Sequence, residues 1–183
     1  TQTNWNGIVG AIELRAEEPV ALSKVEVYPD VDRKLIKVEA RISNVTGSPV
    51  SGDVRFSVTD STGAAIGAPV FAPFSASNGE SVLTMEVPMG NNPKLWDEFS
   101  PYLYVLKSSL SMKSLKFQSE KSVSFGMRKL AIEGTVFTMN GRPLMLRGTL
   151  DCAIYPLTGY PPTDVVSYRR IYKIIKSYGL NFI

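Results

Sequence analysis

Through residues 7–126, apolar and polar side chains alternate in short runs, and residues that favour turns close most of them. A period of two puts one side of an extended chain in a core and the other in water, which is the pattern of a half-buried strand. Ile12 and Leu14 alternate with Glu13 and Arg15 after Ile8, and Val25 and Val27 alternate with Lys24 and Glu26 before Pro29-Asp30. Leu35–Ile42, Val54–Val58, Val82–Val87, Tyr102–Leu106 and Val123–Phe125 repeat the theme, with turns at Asn44–Pro49 and Asp60–Gly63. The Gly-, Ala-, Ser- and Pro-rich stretch Ser61–Gly79 reads as exposed connections within a sheet protein. Short strands separated by turn signals, with no helix pattern between 19 and 126, predict an antiparallel β-sandwich.

The pattern then changes. Leu130-Ala131-Ile132 and Val136–Met139 lead to Asn140-Gly141, a strong hairpin signal, with Pro143–Leu146 as the returning strand. A Gly- and Pro-rich loop runs from Gly148 to Pro162. Thr163 has the chemistry of an N-cap, with Asp164 in the first turn. Val165, Tyr168, Ile171, Tyr172, Ile175 and Tyr178 recur at helical spacing, Gly179 suits the position after the helix, and Leu180–Ile183 starts an apolar strand. The tail therefore reads strand, loop, helix, strand, one β-α-β unit of an α/β domain. The first residue is Thr1 rather than Met, and residues 181–183 stop in mid-pattern, so the expectation is a piece of a longer protein.

Composition narrows the chemistry. Among 183 residues there is no histidine and one cysteine, Cys152. That excludes Ser-His-Asp and Cys-His nucleophile systems, histidine-based zinc sites and an intrachain disulfide. Twenty basic against seventeen acidic residues leave a net charge of +3, which predicts no nucleic-acid partner. No apolar run reaches membrane-spanning length, and no signal peptide is visible. No cofactor and no metal site is expected. Adjacent Asp97 and Glu98 point to opposite sides of an extended chain and read as a solvated turn rather than an acid/base pair. Asp30 and Asp32 could offer oxygen ligands to Ca²⁺, but no EF-hand pattern follows, and they too read as a turn. Arg169, Arg170, Lys173 and Lys176 read as the solvated face of an amphipathic helix. Trp5 and Trp96 could stack on sugar rings, and burial at domain junctions is the simpler account.

Four stretches, in order, resemble glycoside hydrolase family 2, the group of β-galactosidases, β-glucuronidases and β-mannosidases. Asn4–Gly10 resembles the end of its sugar-binding jelly roll. Leu95-Trp96 with Ser100–Tyr104 resembles a segment late in its immunoglobulin-like sandwich. Phe125–Arg128 followed by Met139–Gly148 resembles the entry into its catalytic barrel, and Lys176–Asn181 the approach to the second barrel strand. The resemblance implies three parts: residues 1–18 ending the jelly roll, 19–126 as the sandwich, and 127–183 as a short β-hairpin plus an incomplete β-α-β start of a TIM barrel. It implies retaining hydrolysis of β-linked glycosides by a pair of glutamates in the parent enzyme. Those glutamates belong to later strands, beyond residues 127–183 of a barrel that needs about 250 residues. The piece is then expected to be a scaffold without turnover and without catalytic residues of its own.

Arg147, at the end of an apolar strand aimed at the barrel mouth, is a candidate substrate-pocket residue of the parent, with Asp151 and Cys152 following on the same segment. Where the family often continues with Asn and His, this chain has Leu150 and Cys152, a departure that bears on sugar specificity and argues against a plain β-galactosidase. The expected partners are carbohydrate through the parent enzyme, the remaining domains of the same protein, and a second copy through the exposed helix face of Ile171, Tyr172 and Ile175. A periplasmic or extracellular location is expected because relatives that degrade polysaccharides are often exported. The rival reading is an immunoglobulin-like module that binds carbohydrate or protein.

Overall fold

Alternating runs become sheet wherever a partner strand lies alongside. The computed structural model describes residues 7–8, 10–112, 118–152 and 154–183. These pack as two units, Ala16–Pro143 and Thr1–Arg15 with Leu144–Ile183.

The first unit holds β1 (Val20–Asp30), β2 (Leu35–Asn44), β3 (Val50–Asp60), β4 (Ala65–Ala76), β5 (Gly79–Pro88), β6 (Tyr104–Ser111) and β7 (Gln118–Phe125). They form two antiparallel sheets, ordered β1-β2-β5 and β4-β3-β6-β7, the predicted sandwich. Inward residues follow the period of two. Ile36, Val38, Ala40 and Ile42 from β2 share a core with Val54, Phe56 and Val58 from β3 and with Leu106 and Leu110 from β6, all of them buried. Burying a side chain of this size contributes about 1.5–3 kcal/mol, so this core is the main stabilising element of the unit. Asn44, fully buried at the end of β2, closes the next turn. Its Nδ2 donates to the carbonyls of Ser48, Ala76 and Ser77, and its Oδ1 accepts from the Thr46 N–H and hydroxyl.

Strand β4 corrects the reading of Ser61–Gly79 as connections. It is an edge strand, where proline costs no ladder bond to a further neighbour. Its first half, up to the irregularity opposite Phe56 and Val58, has no clean alternation; Ala72, Phe74 and Ala76 then turn inward. Strand β7 also extends well before Val123, because cross-strand pairing with β6 holds a polar segment that has little pattern of its own.

The same unit includes β8 (Leu130–Glu133), β9 (Val136–Met139) and β10 (Arg142–Pro143), an antiparallel sheet ordered β10-β9-β8. The β9–β10 turn is the predicted Asn-Gly hairpin, with Asn140 at φ 53° and Gly141 at φ 75°. The returning strand is shorter than expected and ends at Pro143.

In the second unit, described residues between 7 and 15 are not a strand despite their alternation. Ile8, Ile12 and Leu14 are exposed and no partner strand pairs with them. The only regular element among its described residues is α1 (Val165–Ser177). Its N-cap is Asp164 rather than Thr163: the Asp164 side chain accepts from the Ser167 N–H at 2.7 Å, as an N-cap should. That bond holds the Asp164 carboxyl below its usual range. At the other end, Gly179 at φ 75° donates to the Lys176 carbonyl and Leu180 to the Ile175 carbonyl, the two bonds of a Schellman motif.

Candidate functional site

The segments singled out by sequence gather at two places. The first lies where the sandwich ends. Leu95 and Met127 form a parallel bridge, and the Trp96 N–H donates to the Met127 carbonyl at 2.8 Å. The indole lies against Gly126: a Cβ there would stand 2.7 Å from Trp96 Cβ and 2.8 Å from its Cγ, so only glycine fits without a shift. The Arg128 guanidinium covers the ring at 4.8 Å, a cation–π contact. Asn140, at the tip of the hairpin, clamps both neighbours. Its Nδ2 donates to the Trp96 carbonyl at 3.0 Å, its Oδ1 accepts from the Lys129 N–H at 2.8 Å, and its own N–H donates to the Lys129 carbonyl at 2.8 Å. Trp96, half-buried, is thus part of a structural knot. The Lys129 ammonium pairs with Asp32 at 2.5 Å, which raises its pKa through that hydrogen bond. Ninety-seven positions separate these two residues, and no local signal could have linked them.

The Ser100–Tyr104 segment docks beside this knot. The Tyr104 hydroxyl accepts from the Lys94 N–H at 2.8 Å, and its ring meets Tyr102 edge-on at 5.1 Å and stacks near Phe125 at 5.7 Å. The Tyr102 hydroxyl donates to Asp60 at 3.1 Å. Asp60 also accepts from the Thr62 hydroxyl and N–H and from the Ala64 N–H, with the Thr62 bonds foremost in lowering its pKa to about 2. Asp97 serves a turn, accepting from the Phe99 and Ser100 N–H groups. Asp30 does the same for Arg33. Among the described residues no three His, Cys, Asp or Glu side chains gather as metal ligands would, and no helix is long and apolar enough to cross a membrane.

The second place holds the candidate pocket residues. Arg147 and Gly148 run parallel to Asn181 and Phe182. The Asn181 and Phe182 N–H groups donate to the Arg147 carbonyl at 2.9 and 3.2 Å, and the Thr149 N–H donates to the Phe182 carbonyl at 3.2 Å. Asn181 adds its side chain, accepting from the Arg147 N–H at 2.8 Å and donating to the Met145 carbonyl at 3.1 Å. A Cβ on Gly148 would meet Phe182 Cδ1 at 2.9 Å. The Arg147 guanidinium donates from Nε to the Gly179 carbonyl at 2.7 Å and from Nη1 to the Met145 carbonyl at 3.3 Å, and so anchors the end of α1. Asp151 and Cys152 are exposed on the following loop. Asp151 accepts from the Tyr155 hydroxyl at 3.4 Å. Burial first, and then the Asp151 charge, pushes that hydroxyl's pKa up. The motif at Asn4–Gly10, with Trp5, falls largely outside the described residues.

The family model described as glycosyl hydrolases family 2 matches residues 20–128. A β-galactosidase of Lactococcus lactis is 34% identical over 90 residues, which are 49% of this chain and 9% of that protein. A β-galactosidase of Thermoanaerobacterium thermosulfurigenes is 29% identical over 161 residues, 85% of this chain and 22% of that protein. The chain thus spans between about a tenth and a quarter of the length of these relatives. In structure, a β-glucuronidase of Bacteroides uniformis superposes with a TM-score of 0.73 at 17% identity over 90% of this chain and 21% of its own.

Proposed function

The chain belongs to glycosyl hydrolases family 2, and from that premise we propose that it is a non-catalytic scaffold segment of a retaining hydrolase of β-linked glycosides. On this reading residues 1–18 end a sugar-binding domain, 19–126 are the spacer sandwich, and 127–183 open the catalytic barrel. The observation that carries it is the knot of Trp96, Gly126, Arg128 and Asn140. It locks the exit of the family-matched region to the hairpin that follows, which suits a part whose task is to hold what comes next in a fixed direction. The parallel pairing of Arg147–Thr149 with Asn181–Phe182 across α1 supports the barrel reading, since parallel strands need such a crossover. Arg147, Asp151 and Cys152 then stand near the substrate pocket of the whole enzyme.

The test is an assay of the purified chain with aryl β-galactoside and aryl β-glucuronide. No aryl release above background is expected. Saturable hydrolysis would overturn the scaffold role. Calorimetric titration with oligosaccharides separates this reading from a free-standing binding module, which would show saturable affinity where the scaffold shows none.

A further inference from the structure

The chain contains three Asn-Gly pairs, Asn6-Gly7, Asn78-Gly79 and Asn140-Gly141, of which Asn6 lies outside the described residues. An asparagine followed by glycine can react with its own main chain, because a neighbour without a Cβ leaves its amide nitrogen open to the side-chain carbonyl carbon. In sequence Asn78 and Asn140 are therefore alike. Their glycines do not separate them either: a Cβ on Gly79 or on Gly141 would meet nothing within 4 Å. The fold separates them by how it holds the asparagine. Asn140 is half-buried and fastened at three atoms. Its Nδ2 donates to the Trp96 carbonyl, its Oδ1 accepts from the Lys129 N–H, and its own N–H donates to the Lys129 carbonyl. Swinging that side chain onto the Gly141 nitrogen breaks both side-chain bonds. Asn78 is exposed in the turn between β4 and β5. Among the described residues its side chain makes one bond, in which Oδ1 accepts from the Gly47 N–H at 3.2 Å on the surface.

We propose that Asn78 is a self-modifying site, converting in the folded chain to aspartate and isoaspartate and loosening its turn, while the fold protects Asn140. The Gly79 amide loses its proton to hydroxide and its nitrogen bonds to Asn78 Cγ. The Cγ–Nδ2 bond breaks and ammonia leaves. The cyclic imide then takes up water, the only other reactant. Opening at Cγ gives aspartate, and opening at the main-chain carbonyl gives isoaspartate. The second product lengthens the main chain by a methylene directly after Ser77. The Ser77 carbonyl is one of three that the buried Asn44 amide holds, with those of Ser48 and Ala76. Isoaspartate at 78 therefore weakens the clamp between the β4–β5 turn and the β2–β3 turn. The inference stands apart from the hydrolase reading, because it uses only two turns of the sandwich and the chemistry of the amide.

The experiment holds the 183-residue chain at mildly alkaline pH, folded in one sample and in concentrated urea in another. Peptide mapping by mass spectrometry follows deamidation site by site, and enzymatic methylation counts isoaspartate. In the folded chain Asn78 should react at least about tenfold faster than Asn140, because the side-chain hydrogen bonds of Asn140 must break first. In urea the two rates should converge. The fraction carrying isoaspartate at 78, separated by ion exchange, should unfold at a lower urea midpoint than fresh chain. Asn78→Gln, whose longer side chain closes a ring far less readily, should keep the fresh chain's midpoint through the same incubation. The proposal is overturned if folded Asn78 reacts no faster than Asn140. It is equally overturned if the difference persists in urea, which would assign it to flanking sequence rather than to the fold, or if the isoaspartyl fraction unfolds at the midpoint of fresh chain.

Discussion

Ile12 and Leu14 alternate with charged residues as regularly as Ile36 and Val38 do, yet the first pair is 78% and 102% exposed and the second is wholly buried. The difference lies in their neighbours. Strand β2 has β1 on one side and β5 on the other, and the facing sheet covers its apolar side. Described residues between 7 and 15 have no partner strand. Helix α1 makes the same point about charge. It has no buried residue and no ion-paired cation among the described residues, whereas the outer faces of the sandwich are laced with Lys24–Glu26, Lys37–Glu39 and Arg33–Glu86 pairs. Alternation and amphipathicity state what a segment could bury. Whether it does depends on a surface brought from elsewhere in the chain.

The largest test of this contrast is in the core. Phe56→Ala should cost about 3–5 kcal/mol, read as a fall in the urea midpoint of the sandwich followed by near-ultraviolet circular dichroism. Ile171→Ala, at a half-buried position of the otherwise exposed α1, should leave that midpoint in place. A common shift would mean the two units unfold as one. Next comes Gly126→Ala, whose new methyl must displace Trp96; a loss of about 1–3 kcal/mol is expected, with a red shift in tryptophan emission as the indole loses cover. An unchanged spectrum would remove the knot from the account.

Ser108 gives an effect of opposite sign. Its hydroxyl is buried in the core face of β6 with no hydrogen-bond partner among the described residues. Ser108→Ala should raise stability by about 1 kcal/mol, checked by thermal denaturation; a loss would mean the hydroxyl is satisfied in solution.

The smallest effect concerns pH. Asp60 is about 2 in the folded chain, below the roughly 3.9 of an unfolded aspartate, so its contribution is complete above pH about 4 and is lost as pH falls toward 2. Asp60→Asn should lower stability at neutral pH, where the carboxylate's bonds are intact, and flatten the acid limb, so that variant and wild type converge as pH falls toward 2. A steeper acid limb in the variant would contradict the assignment.

Much of the sandwich was legible because its strands alternate and its turns carry Gly, Asn, Asp and Pro. Strand β4 was not, since an edge strand tolerates Pro69 and Pro73 and needs only half its length to face the core. The N-cap slipped by one residue because Thr163 and Asp164 both have a suitable oxygen, and backbone geometry selected Asp164. Of the candidate residues, Arg147 was expected at the end of an apolar strand, but that strand ends at Pro143 and Arg147 lies beyond it, next to the isolated bridge of Gly148 with Phe182. The hold of Arg147 on the Gly179 carbonyl could not be read from order alone, because it needs residues 32 positions apart to meet.

By itself the sequence determined the class of the fold, the Asn-Gly hairpin, the helix and its Schellman end, and the exclusion of histidine and disulfide chemistry, because each depends on nearby residues or on composition. Tertiary structure alone decided which alternating runs became strands, that Gly126 makes room for Trp96, that Asn140 ties the hairpin to the sandwich, and that no α1 cation is ion-paired among the described residues. Those outcomes rest on distances between residues far apart in the chain, and local pattern carries no record of such distances.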